Sequence, residues 1–433
     1  MAINFPATLE IKNLRQCNPE YHAGKLQDYE ALYKGSDLFR CKLDDFLIKR
    51  KVEESNSGDT FGIQGNSIYK ERTKWAQYVN RAGGLIDWLG AAVFPSVELS
   101  CEPEDEYWES LNTNADGRGT PLDAVARKAL AAVMVQGRAY FYPELDDEGN
   151  FRIRTYRACD VDDWQYDGDA LLWVRVHSLE PIRSNDLGPV DGERETWTYV
   201  TDSEIVTYAA EKTEGQTEPL YANIQDRQPH DFGVVPVFPI EIFPGQWVMD
   251  RIKDVVVALF NAEAGLSFSV ALQAYSQLVF KLDNTKPDQI VLSELAAIRL
   301  SPEESVEYLS PNPGGFDPQF KNIERLKLSF YEVLQSMSKS ADQIPQAGRL
   351  SGDAVKALQS PLQVLLASLG WPVLIALRNW VDAVQKFRRD EDKDIEVEAE
   401  IDKSATMDEM KEAAVIGEGP KEITEEDTED GEG

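Results

Sequence analysis

The residues able to do chemistry in this chain are few and dispersed. His22, His177 and His230 are its only imidazoles, and none sits in a His-x-x-His or His-Glu-x-x-His spacing that would turn two ring nitrogens onto one metal. Each is read as structural. The run after Cys159, with Asp160, Asp162, Asp163, Asp167 and Asp169, offers carboxylates for a divalent cation, but its irregular spacing does not reproduce an EF-hand loop. A solvated acidic turn is the preferred reading; a metal-dependent hydrolase or nuclease is the rival. Neither a GxxxxGK[ST] phosphate cradle nor a GxGxxG fingerprint is present, so nucleotide chemistry has no visible seat. The expectation is a protein that is not an enzyme and holds neither cofactor nor metal.

Arg81, Arg127, Arg138, Arg152 and Arg154 fall around predicted surfaces and read either as intersubunit ion pairs or as scattered surface charge. Cys17, Cys41, Cys101 and Cys159 are too far apart for a CxxC motif. With no secretory leader read at the start, they point to a reducing compartment.

The elements that must carry these residues belong to a globular protein. At 433 residues with 42% hydrophobic and 10% aromatic content, the chain is long enough for two or three units with their own cores. A net charge of −32 argues against a tight grip on nucleic acid, because phosphate binding needs Lys and Arg. The same charge suits a surface past which a polyanion slides. Residues 264–280 lack charge, but Ser267, Ser269, Gln273, Ser276 and Gln277 interrupt a run that is short for a bilayer, so it reads as a buried helix with no membrane partner.

Periodicity predicts a long helix from Asn66 through Trp75, Tyr78, Val79, Ala82, Leu85, Ile86 and Leu89 to just before Pro95. A second opens at Thr120 as N-cap with Pro121 in its first turn, and Gly137 closes it. Residues 138–143 and 151–156 flank an acidic turn and read as a hairpin, followed by strands near 171–176, 196–200 and 204–208. Helical patterns then cover 250–281 and 319–340, separated by a Pro/Gly-rich stretch over 282–318. The first is apolar all round, which calls for cover on several sides. A further apolar helix starts at Ser351, with a kink expected at Pro372. Alternation through Ile395, Val397, Ala399 and Ile401 indicates an edge strand, Thr406 caps a short helix, and the acidic residues from Gly417 onward suit disorder. The fold class is α+β.

This order resembles that of portal proteins of tailed bacteriophages. The passage from Phe232 through Val235, Pro236, Val237 and Phe238 into Asp250, Arg251 and Ile252 is similar to the portal pattern of a Val-Pro strand before the first stem helix. The passage from Ser340 through Gly348, Arg349, Leu350, Ser351, Gly352, Asp353 and Ala354 is similar to the portal loop of small residues that leads into a Ser-Gly-x-Ala helix start. The resemblance spans roughly 66–389. It implies an α/β wing within 1–249, stem helices over 250–281 and 319–340, and a clip over 282–318. It further implies a tunnel loop over 341–352, a kinked helix and short crown over 353–416, and a tail over 417–433. It makes Asp342, Gln343, Ile344, Pro345, Gln346, Ala347, Gly348, Arg349 and Leu350 the DNA-facing loop, and Ser351 and Gly352 the start of the kinked helix that contains Pro372. The implied function is structural: a ring of roughly a dozen copies at one capsid vertex. Through it double-stranded DNA is packaged and ejected. Terminase, the major capsid or scaffolding protein, and a head-completion or tail adaptor protein are the implied partners. The location is the virion, with assembly in the host cytoplasm. The alternative is another virion or connector protein without a channel.

Overall fold

The computed structural model describes residues 5–54, 65–146, 148–168, 170–183, 190–213, 219–243, 246–273, 277–281, 305–309, 316–341, 361–390, 393–402, 405 and 409. They form two compact units. The larger comprises Met1–Phe39, Asn80–Lys253 and Tyr331–Gly433; the smaller comprises Arg40–Val79 and Asp254–Phe330. Residues 40–79, within the stretch read as N-terminal region and α/β wing, fall in the smaller unit. Asn261 shows why: its Oδ1 accepts from the Ile48 backbone N–H at 2.9 Å while its Nδ2 donates to the Phe46 carbonyl at 2.8 Å.

The chain opens with β1 (Thr8–Glu10), α1 (Ile11–Leu14) and α2 (Ala23–Lys34). Then come α3 (Ser36–Cys41), α4 (Leu43–Phe46), α5 (Lys51–Glu54), α6 (Gly65–Trp75) and α7 (Arg81–Val93). The last two replace the one long helix expected from 66. Asn80 divides them: its Oδ1 accepts from Gly83 N–H at 2.9 Å and its Nδ2 donates to the Tyr33 carbonyl at 2.8 Å. That cap holds residue 80 out of helical geometry and sets the start of α7.

Next are β2 (Ser96–Glu102), α8 (Glu106–Thr113) and α9 (Leu122–Gln136). In α9 the stripe Leu122, Val125, Ala126, Ala129, Leu130 and Val133 is buried, as its spacing predicts. The expected Thr120 cap is corrected to Pro121, which offers no side-chain bond. Thr120 is engaged one turn earlier, its carbonyl accepting from Ala115 N–H and its N–H donating to Asp116 Oδ1. Gly137 ends the helix with φ +81, where the Trp247 ring stands 3.1 Å from the place a Cβ would occupy.

β3 (Arg138–Leu145) and β4 (Phe151–Arg157) make the expected hairpin. β5 (Val161–Asp167), β6 (Ala170–Arg183), β7 (Val190–Val200), β8 (Glu204–Thr213) and β9 (Tyr221–Pro229) join β1 in an antiparallel sheet of order β1-β9-β8-β7-β6-β5. On one face Trp197, Val206, Tyr208, Ala210 and Ala222 pack under Phe5, Ile11 and Leu14. On a second cluster Val161, Val174, Val176 and Val200 meet Tyr140, Val235 and Val237. The β5 edge is closed by Asn18, whose N–H and Nδ2 donate to the carbonyls of Asp162 and Trp164. β10 (Phe238–Glu241) pairs with β3 to complete a sheet of order β10-β3-β4.

Then follow α10 (Val248–Gln273), β11 (Gln277–Lys281), β12 (Ser305–Leu309), α11 (Asp317–Ala341), α12 (Pro361–Arg388) and β13 (Asp394–Glu400). The helix expected to run to 281 ends at Gln273, because Gln277 to Lys281 pair antiparallel with β12. A short apolar run satisfies either period, and a partner strand decides it. Within the described residues α12 begins at Pro361, residues 351–360 of the expected helix lying outside them, and Pro372, where the kink was expected, lies buried inside it. β13 pairs with β2, the strand expected from alternation. Among the described residues two helices are long and apolar enough to cross a membrane, Val248–Ala271 and Leu362–Arg388, where one run was expected. Of the second's most apolar window 67% is buried, as suits a core helix, against 33% for the first.

Candidate functional site

α10 and α11, of 26 and 25 residues, bracket the β11–β12 ribbon in the chain. At 1.5 Å rise per residue each is just under about 40 Å long. In α10 Met249, Ile252, Val256, Leu259, Phe260, Ala264 and Phe268 recur at three-and-four spacing and are buried. The apolar Val255, Val257, Ala258, Ala262 and Leu266 between them stay half-buried, and Val270 is exposed. In α11 the buried positions among the described residues are Ile323 and Phe330, one heptad apart. Phe320 and Leu328 lie off that seam, 51% and 62% exposed. The smaller unit also exposes Ile48 at 66% and Trp75 at 50%. These are large apolar side chains of the smaller unit that their own chain leaves exposed.

The first turns of α10 are anchored in the larger unit. Asp250 Oδ1 accepts from Tyr29 Oη at 2.6 Å and pairs with Lys25 Nζ at 2.7 Å. Burial works to raise the Asp250 pKa, but Lys25 and Tyr29 outweigh it and hold the carboxyl below its ordinary range. Lys25 Nζ also stands 4.3 Å from the centre of the Trp247 ring, whose Nε1 donates to the Val135 carbonyl. These groups border a cavity of about 610 Å³ that Arg138, Trp164 and Arg251 also line.

Of the residues singled out from the sequence, Asp342, Gln343, Ile344, Pro345, Gln346, Ala347, Gly348, Arg349, Leu350, Ser351 and Gly352 lie outside the described residues, as do Thr406 and the acidic tail. Asp160, Asp162 and Asp163 of the acidic run are tied up by arginines. Asp160 is bound by Arg157, and Asp162 is buried against Arg175 Nε at 2.7 Å. Among the described residues no group of three or more His, Cys, Asp or Glu side chains is arranged to hold a metal. The histidines are scattered: His177 Nε2 meets Glu195 at 2.9 Å, His230 Nε2 meets the Thr201 carbonyl at 3.1 Å, and His22 is exposed before α2.

Four of the five arginines offered as intersubunit partners are paired within the chain, and Arg81 is buried. Arg127 meets Asp123, Arg138 meets Glu241, Arg152 meets Asp146 and Arg154 meets Glu144. The reading from sequence missed the pairing of 40–79 with α10. The lone Asn261 on an apolar helix was the available signal, since an amide set among apolar positions calls for hydrogen-bond partners.

No protein-family model matches the chain, and no curated protein matches it. Among solved structures it is similar to a chain in the virion of a native gene transfer agent particle, at 12% identity and a TM-score of 0.36, covering 77% of this chain and 84% of that one. A chain in the neck of an empty gene transfer agent particle, computed with C6 symmetry, matches at 12% identity and a TM-score of 0.36, covering 82% and 90%. At these values the reading below rests on the chain's own residues.

Proposed function

We propose that the chain is a portal subunit, a protomer of a head-to-tail ring through which double-stranded DNA enters and leaves a capsid. The observation that carries this reading is the run of a 26-residue helix, a two-stranded ribbon and a 25-residue helix, with apolar side chains that its own fold leaves uncovered. Identical neighbours cover them, because a heterologous contact whose rotation closes buries the same patch on every copy. The β11–β12 ribbon is the clip that docks an adaptor protein, and 342–350 is the loop nearest the DNA, with Arg349 as its cation. A net charge of −32 keeps contact with the polyanion weak, so the DNA slides rather than binds. The work of packaging belongs to an ATP-driven terminase, and this protein is structural, at the portal vertex of the virion. Negative-stain images of the purified chain test the reading. Rings of roughly a dozen copies with a central hole are expected; solitary protomers at every concentration and salt would overturn it.

A further inference from the structure

The ribbon formed by β2 and β13 is capped at the middle of one edge and, among the described residues, open along the other. On the β2 side, the Leu99 N–H donates to Asn112 Oδ1 at 2.8 Å and Asn112 Nδ2 donates to the Leu99 carbonyl at 2.9 Å. A side-chain amide thus occupies the place of a further strand. Leu99 faces Val397 in the register. Because Leu99 directs its backbone groups away from β13, the ladder bonds fall at the neighbouring pairs, 100 with 396 and 98 with 398. Ile395, Val397 and Ala399 therefore turn their N–H and C=O groups to the outer edge of β13, where none has a partner among the described residues. Such a row is a template for strand addition.

The solvent face of the same ribbon says what fits there. Glu98 and Glu102 on β2, with Asp394, Glu396, Glu398 and Glu400 on β13, are all exposed. In the register Glu98 stands directly opposite Glu398, and Glu102 opposite Asp394. Like charges so placed are unfavourable. Protection of an edge against aggregation needs charge on the edge strand alone and does not account for the carboxylates of β2. A second copy of β13 is excluded, since it would add another row of carboxylates. β4 of another copy, whose Arg152 and Arg154 alternate with Phe151 and Ile153, is not available: both arginines are paired with their own Asp146 and Glu144, and Ile153 N–H donates to the Ala115 carbonyl.

We propose that β13 is a docking edge for an extended segment of another protein in which Lys or Arg alternates with apolar residues. The basic side chains lie over the acidic face, and the apolar ones continue the inward row of Ile395, Val397 and Ala399. The inference does not depend on ring formation.

The test uses the full chain and a labelled synthetic peptide of alternating Lys and Val long enough to span β13, read by fluorescence anisotropy at physiological salt. Backbone hydrogen exchange over 393–402 is followed in parallel. The expected result is saturable binding with slowed exchange at Ile395, Val397 and Ala399. Affinity should fall at least about fivefold when the peptide is N-methylated at alternate positions, and as much in the Glu396→Lys/Glu398→Lys variant. Ala399→Pro, which removes an outward N–H and spares the ladder to β2, should weaken binding while the melting temperature and circular dichroism stay those of the parent. Equal binding of the N-methylated peptide, or of a peptide with its lysines in one block, would reduce the contact to charge alone and overturn strand addition. Undiminished binding to the charge-reversed variant would overturn the assigned face.

Discussion

Arg72 and Glu53 are both fully buried, 2.7 Å apart, yet Arg72 Nε and Glu53 Oε1 have no hydrogen-bond partner among the described residues. A buried pair that is incompletely bonded recovers little of its desolvation cost, while either charge left alone is expensive. Glu53→Ala should therefore lower stability by about 3–5 kcal/mol, whereas Arg72→Met with Glu53→Leu should stay within about 1 kcal/mol of the parent, both read by urea unfolding. If the single and double variants unfold alike, the pair is not the source of the cost. His230 gives a pH effect of definite sign. Burial lowers its pKa from the ordinary 6.5, against the opposing bond to the Thr201 carbonyl and the nearby Asp202 and Asp231. The folded state thus prefers neutral imidazole, and below 6.5 the unfolded chain takes up the proton first. Stability from this group is full above that pH and declines as pH falls. Melting temperatures should drop between pH 7.5 and 5.5 by less in His230→Gln than in the parent, and parallel curves would show that another group is responsible.

At the scale of elements, caps and partner strands override apolar periodicity. Asn80 divides α6 from α7 through one bond to Gly83 and one to Tyr33. Asn80→Ala should cost about 1–2 kcal/mol, with the lost protection concentrated in the first turn of α7. Hydrogen exchange measures this, and loss spread evenly over the chain would point elsewhere. A second junction lies at the end of α12. There Lys393 Nζ bridges Asp105 and Asp390, and Trp108 Nε1 donates to Asp390 Oδ2. The hydrogen bond from Lys393 is the main reason that the Asp105 carboxyl sits below its ordinary value of 3.8. Its contribution is present above that value and is lost as pH falls through the lower folded one.

For the whole molecule, the proposed ring makes association the expected consequence of the exposed apolar helix positions. Phe320 and Leu328 contribute nothing to the buried seam of α11, so placing charge on them should leave the protomer folded and disable its contacts with neighbours. Phe320→Asp with Leu328→Asp should convert rings to protomers in sedimentation velocity with unchanged helix content. Rings of full size from that variant would remove these residues from the interface. The exposed apolar area on the smaller unit is the physical reason for expecting a polymer rather than an isolated chain.

The residues by themselves determined the α+β class, the buried stripe of α9, the β3–β4 hairpin and the β13 alternation, because each depends on a local period or a single turn-forming residue. They also announced two long helical patterns on either side of a Pro/Gly-rich stretch. Tertiary structure alone decided that α6 and α7 are separate, that α10 stops at Gln273, and that 40–79 lies with α10. Each of those outcomes hangs on a partner distant in the chain: Tyr33 for Asn80, Leu309 for Gln277, Phe46 and Ile48 for Asn261. The five arginines show the same division. Arg127 and Asp123, four residues apart on a helix, form a pair that spacing can show, but the partner of Arg138, Glu241, depends on where folding sets a distant carboxylate, which spacing along the chain does not encode.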